Sequence, residues 1–543
     1  CLSSESVGGP GATLGTSLTA LSVRTTLVNV MQNMSVRFSS LVAIVTDRGK
    51  NVSNAGAQLA TSLPPNSLHA AYSHINCINH VMNNCVNDSL FGKGAPAALV
   101  DSSTDLTDAG DDEEWQVTQE EVEDATWKVS SLVKLVRSIV SLFRHSGKAT
   151  ADLATEQLKI RGRNRPEMLT TPCETRWNGI FDMLTRFHRW KREISIVLSQ
   201  RNAYAKAKNT YLTLERPDGM NAEHSIPAIL EMLEPITAVS FFFQARYSPT
   251  SSWAIPASNW LLSRLKEIVA SYDSARDTNR PPWRNAVVAF GKHLIANLGA
   301  GFENILALSE STSARHTFAI ASLLDPLALG TSTTEAVQDA AEAAEWQTQA
   351  RSRLFVLIGT SIGEYERDRR RSDPSSLVQP GVDDTLLVAG GTNSSGGARS
   401  RRLGSEIVTY EARARDLYGC VSDLYRDLLE AKREEMTAAD RESYNAGVRK
   451  SMFALDKELW DQAVARYDAA VLTFWRRNAA TLPALAAVAR RVLAIPAGSS
   501  ASESLFSVQR SIFGPDRPSL RPDRVSDLVF GKSYIKERKR LGL

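Results

Sequence analysis

Thr481–Leu520 reads TLPALAAVARRVLAIPAGSSASESLFSVQRSIFGPDRPSL, a pattern that predicts two helices with a tight break between them. Leu482, Leu485, Val488, Ala489 and Val492 recur at helical spacing. Pro483 suits a first helical turn, where its missing N–H would have no partner in any case. Pro496 and Gly498 stop that helix. A serine cluster follows, and Ser500-Ala501-Ser502-Glu503 has the S-x-x-E form of a capping box. Leu505, Phe506 and Val508 continue the second helix, with Arg510 on its outer side. A carboxylate this early in a helix, beside apolar residues, suits either a cap or a catalytic group. Spacing alone favours the cap.

Working outward, 543 residues are enough for two to four domains. The net charge of +3, from 63 basic and 60 acidic side chains, names no partner by itself. Five scattered cysteines (Cys1, Cys77, Cys85, Cys173 and Cys420) do not form a disulfide framework and point to a reducing compartment. Read as a string, the chain shows no uninterrupted apolar run of the roughly 18 residues a bilayer span requires, so no membrane partner is expected. The first residue is Cys1 rather than Met, with no signal-peptide pattern, which fits a processed chain or an incomplete gene model.

Leu27, Met31, Met34 and Phe38 fall on one helical face. Leu41–Val45 is a short apolar run that predicts a strand buried on both faces, ending at Thr46-Asp47-Arg48-Gly49-Lys50-Asn51. An acid at the carboxyl end of a buried strand is where α/β folds place ligand and metal sites. Asp47 equally suits a cap for a helix over Val52–Leu59. Cys77 and His80 form a C-x-x-H pair. Two ligands do not make a structural zinc site and no second pair lies at finger spacing, so the pattern favours a helix that follows a short strand and buries one cysteine.

Residues 91–125 are crowded with acids and predict a solvated loop. Val129, Leu132, Val133, Val136, Val140 and Phe143 mark an amphipathic helix, with Lys128, Lys134, Arg137, Arg144 and Lys148 on its other face. Arg176 and Trp177 open another helix, which carries Phe181, Leu184, Phe187 and Trp190. A tryptophan there suits either stacking on a nucleobase or a place in the core, the commoner role. Ile226, Ile229, Leu230, Leu233 and Ile236 make one face of a helix, Ser248-Pro249-Thr250 breaks the pattern, and a helix over about Ala257–Val269 follows. Phe318–Leu324 stops at Asp325-Pro326. Residues 367–405 have linker composition. The basic end, with Lys532, Lys536, Arg538, Lys539 and Arg540, suits phosphate contact, a nuclear address or a cation-favouring helix terminus.

The order of these blocks is more specific than any one of them. TDRGKN, CINHVMNN, a basic helix, ETRWNGIFDML, IPAILEMLEPI, SPTSS, IASLLDP, FWRRN and LPALAAVARRVLAIPAGSSASESLFS together resemble the transposases of the hAT superfamily, from about Thr25 to Lys536. The last block is similar to that family's C-terminal dimerisation region. The resemblance implies an α/β RNase H-like core with a large all-α insertion, in a predominantly helical chain. It implies a partial core over residues 1–90, an acidic loop over 91–125 and a helical region over 126–366. A linker over 367–405, the end of the insertion over 406–480 and the dimerisation region over 481–543 would follow.

The chemistry it implies is phosphoryl transfer by two divalent metals, Mg2+ or Mn2+, held by an Asp, Asp and Glu set. Asp47 matches the second Asp and Glu503 the Glu, so these two would be the catalytic metal ligands. His80 matches a residue near the DNA ends, and Arg176 with Trp177 matches the block whose aromatic stacks on a flipped base. Leu485, Val488, Val492 and Phe506 are the dimerisation candidates. The family's first Asp has no counterpart, since Glu5 is the only acid before Asp47. The first strands of the core and the family's zinc-binding BED domain have none either, and Ser504 stands where the family usually has Arg. The expectation is therefore a nuclear, self-associating, DNA-binding transposase-derived protein that is catalytically incomplete and holds no cofactor. The alternative is an active cut-and-paste transposase whose N-terminus precedes this sequence. A helical-repeat scaffold ranks last, because no fixed period recurs.

Overall fold

Strand β1 (Ile44–Thr46) lies parallel to β2 (His74–Asn76), with Ile44 opposite His74 and Thr46 opposite Asn76. Parallel neighbours need a crossover, and helix α2 (Lys50–Thr61) supplies it. The helix crosses so closely that a Cβ on Gly56 would fall 2.6 Å from the His74 ring and 3.2 Å from the Thr46 methyl. Those two side chains meet beneath it, Thr46 Oγ1 lying 2.8 Å from His74 Nε2. This βαβ unit belongs to a computed structural model that describes residues 19–61, 74–91, 129–328, 405–503 and 522–540, with short gaps inside these spans.

The expected strand is present but shifted and less enclosed. Ile44 and Val45 are half-buried, and only Thr46 is buried. A strand buried on both faces needs cover on each side, and β2 is the only other strand among the described residues. Leu41 and Val42 lie outside them, as do Met34 and Phe38, the acidic loop over 91–125 and the linker over 367–405.

The rest is helical. Helix α1 (Ala20–Asn33) packs on α2. Cys77 turns the chain from β2 into α3 (Ile78–Phe91), which buries Ile78, Val81, Met82, Val86 and Leu90. Helix α4 (Val129–His145) buries every apolar residue its spacing marks, from Val129 to Phe143. Helices α5 (Gly147–Arg161), α6 (Asn178–Arg189), α7 (Lys191–Gln200) and α8 (Ala205–Leu214) follow. Trp190, just past α6, is fully buried. Its indole N–H donates to Glu167 Oε2 at 2.9 Å, and the Arg189 guanidinium meets the same carboxylate at 2.9 Å. An indole is buried without penalty when its N–H finds an acceptor.

Helix α9 (Ala222–Phe243) is the centre of the helical mass, with Ile226, Ile229, Leu233 and Ile236 fully buried. It is long and apolar enough to cross a membrane, which the string of residues did not suggest, yet most of it is buried within the fold. A core helix surrounded by protein is apolar on all sides for the same reason as a span. The 3-10 turn Thr250–Trp253 then leads into α10 (Ala254–Tyr272), longer at both ends than its apolar spacing predicts. Helix α11 (Pro282–Leu306) packs between α10 and α3, and α12 (Ser313–Leu324) lies against the 3-10 turn and β2.

After the gap, residues 405–414 are helical, as are α13 (Val421–Glu434), α14 (Lys457–Asn478), α15 (Pro483–Val492) and α16 (Pro522–Arg540). Helix α14 returns to the earlier half through a buried polar node. The Trp253 indole donates to the Tyr467 hydroxyl at 2.6 Å, that hydroxyl meets the Asp325 carboxyl, and the Trp475 indole donates to the Leu324 carbonyl at 3.0 Å. Burial pushes the Asp325 carboxyl up, with Ser252, Tyr467 and the backbone N–H groups of Leu327 and Ala328 working against it. The Asp325-Pro326 stop is thus a packing node linking α12 to α14.

Candidate functional site

Three distant pieces of chain meet at the carboxyl end of the strand pair. The Cys77 N–H donates to the Thr46 carbonyl at 2.7 Å, extending the ladder by one residue past β2. The Ile78 N–H donates to the Ala497 carbonyl at 3.1 Å, and the Ala497 N–H donates to Thr250 Oγ1 at 2.9 Å. The break after α15 is therefore pinned from both sides. Gly498 is required by that fit, since a Cβ there would lie 3.0 Å from the Phe243 carbonyl oxygen and 3.6 Å from Cys77 Sγ.

The next residues carry the chemistry. The Ser499 N–H donates to Cys77 Sγ at 3.2 Å, and Ser499 Oγ donates to Glu503 Oε1 at 3.3 Å. His80 stands one turn into α3, with Nδ1 3.8 Å from Glu503 Oε1. Cys77 Sγ, a His80 ring nitrogen and a Glu503 oxygen all lie within 4.8 Å of one another. Cys77 is fully buried, while the His80 and Glu503 side chains keep 32% and 29% of their surface, so the cluster opens to solvent on one side. His80 Nδ1 itself is buried and has no hydrogen-bond partner in ordinary geometry among the described residues.

The charges are coupled. The neighbouring Cys77 side chain raises the His80 pKa; burial opposes this, and the Glu503 and Asp47 carboxylates add to it. Burial pushes the Cys77 thiol up, but contacts to His80 and Ser499 outweigh it and leave the thiol below its ordinary value. A thiol at a helix N-terminus with N–H donors on its sulfur has this thiolate character for general reasons.

The predicted residues divide sharply. Asp47 sits at the end of β1, where its Oδ1 accepts the Gly49 N–H at 3.0 Å in a local turn. Its charge reaches His80, but it stands outside the three-residue cluster. Glu503 is in the cluster, beside Cys77 and His80, which the sequence assigned to a helix start and to DNA. In the described bonds the turn at Glu503 closes on Ser499 rather than Ser500, the Glu503 N–H donating to the Ser499 carbonyl at 3.1 Å. Arg176, Trp177 and Phe506 lie outside the described residues.

Leu485, Val488 and Val492 lie in the segment matched to the dimerisation region. They are 1%, 4% and 1% exposed and belong to the chain's own core, with α15 packed on α12 and α14. Within the single chain these three therefore build the region from inside. Sequence reasoning also missed Thr250, Gly498 and Ser499. Their neighbours SPTSS and IPAGSS stood out only as breaks, and a break does not say what it touches.

A divalent ion of the Mg2+ kind is implied by the resemblance, and the assembled donors do not fit it. Mg2+ takes oxygen ligands in octahedral geometry. The cluster offers one carboxylate, one imidazole nitrogen and one sulfur, so no phosphoryl-transfer step is derived from it.

Known families bear on the same segments. Residues 452–535 match the hAT family C-terminal dimerisation region, and residues 75–218 match the ZBED1 RNase-like helical domain. The two matches, on a predominantly helical chain, support an hAT-family transposase-like protein. No curated protein matches the chain.

Proposed function

We propose that this chain is a transposase-derived protein that self-associates through its C-terminal region and binds DNA. We propose further that a polypeptide of these 543 residues does so without metal-dependent cleavage. The observation that carries the reading is α16, whose residues up to Ile535 lie in the segment matched to the dimerisation region. Val529 is buried, while Leu528, Phe530, Tyr534 and Ile535 are exposed at 46%, 72%, 54% and 56%. Exposed apolar side chains concentrated on one helix are a common feature of association surfaces. The basic residues Lys532, Lys536, Arg538 and Lys539 on the same helix suit phosphate contact and a nuclear address. Asp47 and Glu503 are two of the three carboxylates that the resemblance implies, and Glu5 is the only acid before Asp47.

The test is binding of the purified chain to duplex DNA across a salt series, with Mg2+ or Mn2+ present and strand cleavage scored in parallel. Affinity should fall steeply as salt rises, and the DNA should stay intact. Salt-independent affinity would sink the DNA reading. Cleavage that disappears in Glu503→Gln would instead establish an active enzyme.

A further inference from the structure

We propose that Cys77, His80 and Glu503 form a binding site for a borderline-soft divalent cation, with Zn2+ the best fit. The C-x-x-H pair supplies only two ligands, and the fold brings the third from the other end of the chain. Zn2+ accepts thiolate, imidazole and carboxylate together, at about 2.0–2.3 Å, which sets tetrahedral ligand atoms roughly 3.4–3.6 Å apart. His80 Nδ1 and Glu503 Oε1 are already at 3.8 Å, and the whole set lies within 4.8 Å, so loading requires only a small inward movement. Three protein ligands with one side open to solvent is the pattern of a zinc site that keeps a position for water, and it differs from the closed four-ligand structural kind.

Two further observations point to a ligand. His80 Nδ1 is buried with no hydrogen bond of ordinary geometry among the described residues, and the ring lies beside the Cys77 thiol and the Glu503 carboxylate. The Ser499 N–H on Cys77 Sγ is the outer-shell contact that orients a ligating sulfur. The same serine's hydroxyl bonds Glu503 Oε1, so one residue positions two of the three donors. This site requires neither DNA binding nor self-association. An ion held there takes up the Glu503 carboxylate and so excludes it from the hard-metal role that the resemblance implies.

The experiment uses the full chain, stripped of metal with a chelator and titrated with Co2+ as a spectroscopic stand-in. One equivalent should produce a thiolate-to-cobalt charge-transfer band and visible bands of tetrahedral intensity. Zn2+ should displace the cobalt, and millimolar Mg2+ should not. Cys77→Ser should abolish the charge-transfer band, and Glu503→Gln should weaken Co2+ binding about tenfold or more. The absence of a charge-transfer band, its survival in a folded Cys77→Ser variant, or displacement by Mg2+ would overturn the proposal. Should Cys77→Ser fail to fold, Glu503→Gln decides, because its carboxylate is partly exposed. Unchanged Co2+ affinity in that variant would overturn the site.

Discussion

The Ser499 backbone N–H donates to Cys77 Sγ at 3.2 Å across 422 residues of sequence. That bond joins the end of β2 to the break after α15, and the candidate site exists only because the two segments meet. Neither is anchored by long-range apolar packing alone. Each uses backbone groups that strands and helices leave unpaired at their ends, which must find partners when buried.

Gly498 is the tightest point of that junction. In Gly498→Ala the new methyl would press on the Phe243 carbonyl, a backbone atom that cannot rotate away. The expected cost is about 1–3 kcal/mol, the usual range for overpacking. The readout is amide hydrogen exchange at Ile78, whose N–H donates to Ala497. Its protection should fall more than that of amides in α4, and equal loss at both places would argue against a local role.

Much of the helical architecture was legible because it is periodic. The faces of α4 and α9 needed only their spacing, and both are buried as that spacing predicts, except that Leu230 on α9 is half-buried. The site was half-legible. Asp47, His80 and Glu503 stood out by residue type and block order, but nothing in the local sequence says that Glu503 turns toward Cys77. That pairing comes from hydrogen bonds made by Thr250, Ala497 and Ser499, whose residue types carry no periodic signal. The dimerisation candidates show the opposite limit. Leu485, Val488 and Val492 have a strong helical pattern, and a pattern shows that a face is covered without showing by what.

Tyr467 offers a test of the node between α12 and α14. Its hydroxyl receives the Trp253 indole N–H at 2.6 Å and meets Asp325 and Ser252, all in a fully enclosed setting. Tyr467→Phe removes an acceptor and a donor there at once, and should destabilise the chain by about 1–3 kcal/mol. Tyr211→Phe is the control, since that hydroxyl has ordinary partners, the Lys191 carbonyl at 3.3 Å and Ser195, and belongs to no such node. Denaturant midpoints should drop clearly for the first and little for the second. Equal shifts would mean that the node adds nothing beyond an ordinary hydrogen bond.

Asp182 on α6 introduces a pH dependence. Burial pushes its carboxyl from 3.8 up to about 6, only partly offset by Arg186. Between those values the folded chain keeps the proton that the unfolded chain releases. Stability contributed by this group therefore falls as pH rises through that window, and remains lower above it. Asp182→Asn cannot ionise and should escape the loss. Its melting temperature should exceed that of the parent at pH 7.5, and the difference should shrink or vanish near pH 4. A constant offset between the two curves would mean that the carboxyl does not titrate as inferred.

Self-association separates two kinds of apolar residue in the C-terminal region. The Phe530 and Tyr534 rings lie near-parallel one turn apart on the outside of α16, 6.2 Å between centroids, with Arg538 extending over Tyr534. Replacing exposed Phe530 and Ile535 together by serine removes apolar surface that the single chain does not use. The fold should melt as before, while sedimentation at micromolar concentration shifts from dimer toward monomer. Leu485→Ala acts differently. Its side chain is 1% exposed within the chain, so the loss should appear as about 2–5 kcal/mol of stability. At equal folded concentration the dimer should persist in that variant. If instead Leu485→Ala dissociated a folded dimer and the Phe530–Ile535 double variant did not, the association surface would lie on α15 after all, and the packing of α15 described above would have to open on assembly.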